Sequence, residues 1–138
     1  MVPDNDRAGF LLDTDFLIDL NRGRRNSLRA RAEKLLLEIN QEDLFISSVA
    51  VTEFMTGIPQ PVREQAEKML RELYFYLAPT FEEASLAGRL RQEWLSRGYN
   101  LALADVTNAA LAISRNLVLV TRNLSHYPFE DRKSTRLN

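Results

Sequence analysis

Apolar positions along this chain switch between a continuous run and a helical spacing, and each switch marks where one element ends and the next begins. Gly9 to Leu12 is a short apolar run of the kind a buried parallel strand shows. Asp13 and Thr14 interrupt it, and Phe16, Leu17 and Leu20 then recur at helical spacing, so the strand turns directly into a helix that closes near Arg22 and Gly23. Asn26 or Ser27 can cap a second helix, with Leu28, Ala32, Leu35, Leu36 and Ile39 on one face, ending near Asn40. Leu44 to Ile46 is a second strand, and Ser47 and Ser48 supply hydroxyls for the cap of a helix that carries Val49, Thr52, Glu53 and Phe54 up to Gly57. Val62 to about Leu73 is amphipathic, and Phe75 to Ala78 reads as a third strand. Thr80 caps a further helix, expected to bury Phe81, Ala84, Ala87, Leu90 and Trp94. A helix from about Ala102 to Arg115 packs through Val106, Ala109, Ala110 and Ile113, its small residues allowing close approach to a sheet, and Val118 to Val120 is a buried strand.

Strands alternating with helices predict an α/β fold: a three-layer sandwich with a mostly parallel sheet of four to five strands. The strand exits carry Asp13, Ser47 with Ser48, Pro79, and Thr121 to Asn123, which makes three of the four polar at one edge. That edge is where ligands bind in open α/β sheets. The domain is expected over residues 9–130, with residues 1–8 a polar leader. Residues 131–138 read poorly as structure and match the translation of a common sequencing adapter, so they are expected to be a non-native tail and the sheet to lack an edge strand.

Composition narrows the chemistry. A chain of 138 residues has room for one domain, and the absence of cysteine excludes disulfides, thiolate metal sites and cysteine nucleophiles. One histidine excludes a His-rich site, which leaves carboxylates as the plentiful reactive groups. No apolar run approaches a membrane span and the start has no signal-peptide character, so a cytoplasmic protein is expected. A net charge of −1 does not announce a nucleic-acid binder, yet Arg22, Arg24, Arg25, Arg29 and Arg31 crowd together. They read either as a solvated helix face or as contacts to phosphate or an acidic partner.

Asp13, Glu53 and Asp105 fall at one edge of one sheet on this reading. Asp13 or Thr14 can equally be no more than a helix cap, and a lone Glu53 a surface residue. Three carboxylates packed together repel and raise one another's pKa, a conflict that a hard divalent cation removes. Oxygen-only ligands select Mg²⁺ or Mn²⁺.

Four segments resemble, in order, the motifs of the PIN-domain ribonucleases, most closely the VapC-type toxins of toxin–antitoxin pairs. They are Leu11 to Asp15, Ile46 to Phe54, Leu103 to Ala110 and Leu119 to Tyr127, within a match from about Phe10 to Phe129. Each is weak alone and the ordered set is specific. The resemblance implies a Mg²⁺-dependent endoribonuclease acting on a tRNA, rRNA or mRNA, held off by a small cognate antitoxin. It makes Asp13, Glu53 and Asp105 the metal ligands and adds Asn123 as a catalytic position, with Thr14, Asp15, Ser48 and Thr121 supporting them. Many family members carry a fourth acid where this chain has Asn123, which bears on whether one metal binds or two. His126 is expected either to touch RNA or to cap its loop.

Two other readings stay open from the residues. Asp13-Thr14-Asp15 after an apolar strand fits the nucleophile motif of haloacid-dehalogenase-like phosphatases, although the later lysine and acidic pair they need are not evident. A PIN-like scaffold that binds RNA or a partner without turnover is kept open by Asn123. The apolar stripes exceed what one face of a short sheet needs, so a homodimer and a hydrophobic groove for an antitoxin segment are expected.

Overall fold

The computed structural model describes residues 9–122 except 24 and 41, together with the backbone of residues 135–137. The strands are β1 (Gly9–Leu12), β2 (Leu44–Ser47), β3 (Phe75–Leu77), β4 (Leu117–Thr121) and β5 (Thr135–Leu137). The helices are α1 (Thr14–Leu20), α2 (Ser27–Ile39), α3 (Ser48–Thr56), α4 (Arg63–Leu73), α5 (Phe81–Ser96) and α6 (Leu103–Arg115), with a 3-10 turn at Gln60–Val62 before α4. Asn26 caps α2 through its side chain, Ser47 caps α3, and Thr80 with Glu83 forms a reciprocal capping box on α5.

All strand pairs are parallel, in the order β3-β2-β1-β4-β5. The central strands are buried on both faces, so successive residues serve opposite cores. Phe10, Leu12, Ile46 and Val120 pack with α1, α2, α3 and Leu70 of α4. Leu11, Leu117 and Leu119 pack with α6 and Ala87 of α5. The chain therefore lays α1–α4 on one face while building β1, β2 and β3 in one direction, then crosses to the other face through α5 and α6 to place β4 on the far side of β1. That reversal makes the gap between the carboxyl ends of β1 and β4 the switch point of the sheet. Gly9 holds the entry to β1 against the segment before β2. Its φ is +144°, and a Cβ there would lie 2.5 Å from the Asp43 carbonyl oxygen, which instead accepts from the Phe10 amide.

Three expectations need correction. Thr135–Leu137 pairs with β4 in parallel register, so the sheet does have an edge strand on that side, built from residues expected to stay outside the fold. The expected stripe of α5 fails only at its start: Phe81 is 84% exposed and Ala84 is exposed, while Glu83 and Leu86 face inward with the expected Ala87, Leu90 and Trp94. The capping box causes this, because it fixes Glu83 at the first turn and turns Phe81 outward. On α6 Ile113 is exposed, and Leu111 and Ala112 take the buried positions instead. Residues 1–8 and Asn123 to Ser134, and the side chains of residues 135–138, lie outside the described residues.

Candidate active site

Asp13 stands where β1 becomes α1, at the switch point. Its backbone is extended (φ −72°, ψ 158°), its amide donates to the Val120 carbonyl across the gap to β4, and its Oδ1 accepts from the Thr14 amide at 2.7 Å. The capping role is thus real. It occupies one carboxylate oxygen, and the Thr121 hydroxyl at the end of β4 donates to the other, Oδ2, at 2.9 Å. One carboxylate oxygen is thus held by the first residue of α1 and the other by the end of β4.

Burial pushes the Asp13 carboxyl up to about 6. The bonds from Thr121 and from the Thr14 amide work against that rise, and the negative charges of Asp15 and Asp105 add to it. Asp105, half-buried in the first turn of α6, therefore lies close enough to act on Asp13. Asp15, in the first turn of α1, favours that helix's positive end while opposing ionisation of its neighbour.

Glu53 is exposed on α3, and its Oε1 accepts from the Thr14 hydroxyl at 2.6 Å. Thr121, Asp13, Thr14 and Glu53 thus form a continuous chain of bonded neighbours from β4 to α3. Ser48 opens α3 and gives its carbonyl to Thr52, whereas Ser47 is fully buried and carries the polar link at this strand exit. The Ser47 hydroxyl lies 2.6 Å from Oδ1 of the fully buried Asn108, one turn beyond Asp105 on α6. Asn123 lies outside the described residues.

Among the described residues no three acidic or histidine side chains are close enough to share one metal ion as they stand. The donor chemistry nevertheless suits a hard cation. The groups are all oxygen, and ionisation of Asp13 is opposed by burial and by like charges, the two effects a cation offsets.

Sequence reasoning missed two buried polar groups near this edge, Asp19 and Asn108, and read Ser47 as a cap and strand exit without its bond to Asn108. Asp19 is fully buried at the end of α1, where Arg22 and Arg122 each meet one of its oxygens at 2.9 Å. The local signal was present, since Asp19 flanks the Phe16–Leu20 stripe and stands three residues before Arg22. A groove of about 680 Å³ lies elsewhere, between α3, α4 and the β2–β3 edge, and contains none of the candidate acids.

Comparison with known proteins bears on the family and the fold. The family model described as PIN domain matches residues 10–129. A Methanocaldococcus jannaschii protein called Ribonuclease VapC1 is 27% identical over 124 residues, covering 90% of this chain and 82% of that protein. A chain of a toxin–antitoxin complex from Klebsiella pneumoniae superposes with a TM-score of 0.73 at 28% identity, covering 92% of this chain and 95% of that one. A chain of a DNA-bound VapBC from Salmonella typhimurium superposes with a TM-score of 0.70 at 23% identity, covering 94% of this chain and 96% of that one, and supports the fold.

Proposed function

The chain belongs to the PIN-domain family, and from that premise we propose that it is a Mg²⁺- or Mn²⁺-dependent endoribonuclease and the toxin of a toxin–antitoxin pair. One observation carries the catalytic part: the switch point of the sheet holds a carboxylate, Asp13, that is 95% buried, fixed at both oxygens and pushed up to about 6. Such a group is poorly served by water and well served by a cation.

Asp13, Glu53 and Asp105 would hold the ion. When bound, it would make a water nucleophilic at neutral pH and offset charge on the reacting phosphate. The chain's own residues do the rest. Thr121 and the Thr14 amide keep the Asp13 carboxylate from rotating, so its oxygens are placed before any ion arrives. Thr14 holds Glu53 on the α3 side, and Asp15 adds negative charge beside the site. The resemblance would give Asn123, which lies outside the described residues, the positioning of a water or of the phosphate through its amide.

For partners, we take the 680 Å³ groove as the seat of an antitoxin segment. Val51, Met55 and Leu70 give it an apolar floor, and Arg63, Glu67 and Arg71 a charged rim, as a groove for an amphipathic helix needs. Phe75, Tyr76 and Phe81 are exposed together around the β3 edge and form the surface assigned to a homodimer. No described helix is long and apolar enough to cross a membrane.

A second reading, a PIN-like scaffold that binds RNA or a partner without turnover, rests on Asn123 at the fourth acidic position and on the lack of a three-carboxylate cluster among the described residues. One experiment separates the two. Purified protein should cleave RNA with added Mg²⁺ or Mn²⁺ and not in chelator, and Asp13→Asn should lose that cleavage. Wild-type protein that binds RNA with no metal-dependent turnover would establish the scaffold instead.

A further inference from the structure

The end of α1 carries two guanidinium groups on one buried carboxylate. Arg22 Nε meets Asp19 Oδ1 at 2.9 Å and Arg122 Nε meets Asp19 Oδ2 at 2.9 Å. The Asp19 side chain is fully buried, whereas those of Arg22 and Arg122 are 35% and 27% exposed. A single partner would offset the charge of Asp19, so the second guanidinium leaves a positive charge over. Both arginines bind through Nε, and among the described residues neither pair of Nη groups has a partner. Two forks are thus held rigid at their base with their Nη groups unused. Arg29 Nη1 donates to the Arg22 carbonyl at 2.8 Å and fixes the backbone below one of them.

The position of the pair is set by the candidate active site. Arg122 directly follows Thr121, the residue that holds Asp13 Oδ2, and Asp19 stands six residues along α1 from Asp13, about 9 Å at the helical rise. We propose that Arg22 and Arg122, seated on Asp19, form a clamp for a backbone phosphate of the RNA beside the bond to be cut. This rests on the nuclease reading. A guanidinium fork whose base is already fixed loses little freedom when it engages phosphate, and phosphate matches its paired N–H groups. The acids at the switch point repel RNA, and this clamp supplies the compensating attraction on the same side of the sheet.

The test is binding of a fluorescein-labelled single-stranded RNA to the full chain in chelator, which prevents turnover, with affinity measured across about 50–200 mM salt. Arg22→Ala and Arg122→Ala should each weaken binding about tenfold and reduce the salt slope by about 0.7, the value for one lost phosphate contact on a single strand. Arg97→Ala, a change to an exposed arginine just past the end of α5, should alter neither. Thermal unfolding checks that the variants fold. Should the alanine variants not fold, Arg22→Lys and Arg122→Lys decide: weaker binding with the slope kept supports the clamp, and unchanged affinity overturns it. An equal loss in Arg97→Ala would show diffuse attraction and overturn the clamp. So would unchanged RNA binding by both alanine variants, including the case where they weaken binding of an acidic peptide instead. Failure of the unaltered chain to bind RNA would overturn the nuclease reading together with the clamp, whereas RNA binding with unchanged slopes overturns the clamp alone.

Discussion

Two buried carboxylates, Asp13 and Glu83, are each 5% exposed and yet are driven in opposite directions. Burial takes Asp13 up to about 6, against bonds from neutral donors and with two acids nearby. Glu83 is held down to about 2 by its bonds to Arg115, whose Nε and Nη2 donate to Oε2 and Oε1 at 2.8 and 2.9 Å. Glu83 also closes the capping box of α5, and Arg115 Nη2 donates to the Ala78 carbonyl, so the pair joins α5, α6 and the exit of β3. The lesson is in the partner, not the burial. Glu83, which serves the fold, has its cation within the chain, whereas the cost left at Asp13 suits the proposed role of holding a cation from outside.

The sharpest way to break the comparison is to neutralise each acid. Asp13→Asn is expected to lower RNA cleavage at least 100-fold, about 3 kcal/mol in transition-state terms, while the metal-free protein becomes no less stable. Glu83→Gln should do the reverse. It should cost about 2 kcal/mol of stability by denaturant unfolding, since it leaves the partly exposed Arg115 without its carboxylate, and leave cleavage per folded molecule within about twofold. Matching losses of activity in both variants would show that Glu83 also serves the site.

Acid titration reads the same contrast without mutation. The Asp13 carboxyl is raised from 3.8 to about 6, so the folded state holds its proton more tightly than the unfolded chain. Stability should therefore fall as pH rises from about 4 to 6, by at most about 3 kcal/mol, and stay reduced above that. Glu83 is lowered from 4.5 to about 2, so its contribution is full above 4.5 and lost as pH falls through about 2. Its size is about 2 kcal/mol once the one-third exposure of Arg115 is allowed for. Unfolding measured against pH for the wild type, Asp13→Asn and Glu83→Gln should isolate the two slopes by difference.

A third measurement asks whether the cost at Asp13 is relieved by metal. Mg²⁺ or Mn²⁺ at about 100 times its dissociation constant should stabilise the protein by about 2.7 kcal/mol, read as a rise in unfolding temperature. Glu83→Gln should keep that rise and Asp13→Asn should lose it. A rise retained in Asp13→Asn would place the ion elsewhere.

These contrasts also mark how far the sequence can be read. The element boundaries followed from Asp13, Asn26, Ser47 and Thr80, because caps and periodicity are local. The edge location of Asp13 followed from the switch of period at Leu12. Strand order did not, since it depends on pairings such as Leu12 with Val120, 108 residues apart. The polar pairs were hidden for the same reason: Arg122 is 103 residues from Asp19, Asn108 is 61 from Ser47, and Arg115 is 32 from Glu83. Phe81 was placed inside because its spacing fits the stripe, and only the capping role of Glu83 shows which way that first turn faces.

The smallest expected effects lie in the neighbours that tune Asp13, and they differ in sign. Thr121→Val keeps the shape and removes the hydroxyl that donates to Oδ2, so the carboxyl should rise above 6 and metal should bind more weakly. Asp15→Asn removes a like charge, so the carboxyl should fall. Its shift should be smaller, because Asp15 ranks below the Thr121 bond among the influences on Asp13. Asp105→Asn should lower it by less again, and metal affinity should drop if Asp105 is the ligand proposed above. Carbon-13 titration of the Asp13 carboxyl in metal-free protein reads all three. If burial and these named neighbours set the value, Thr121→Val and the two asparagine variants must move it in opposite directions. A common direction would mean that the substitutions act through a shared change in burial, and the contrast with Glu83 would then rest on packing and not on partners.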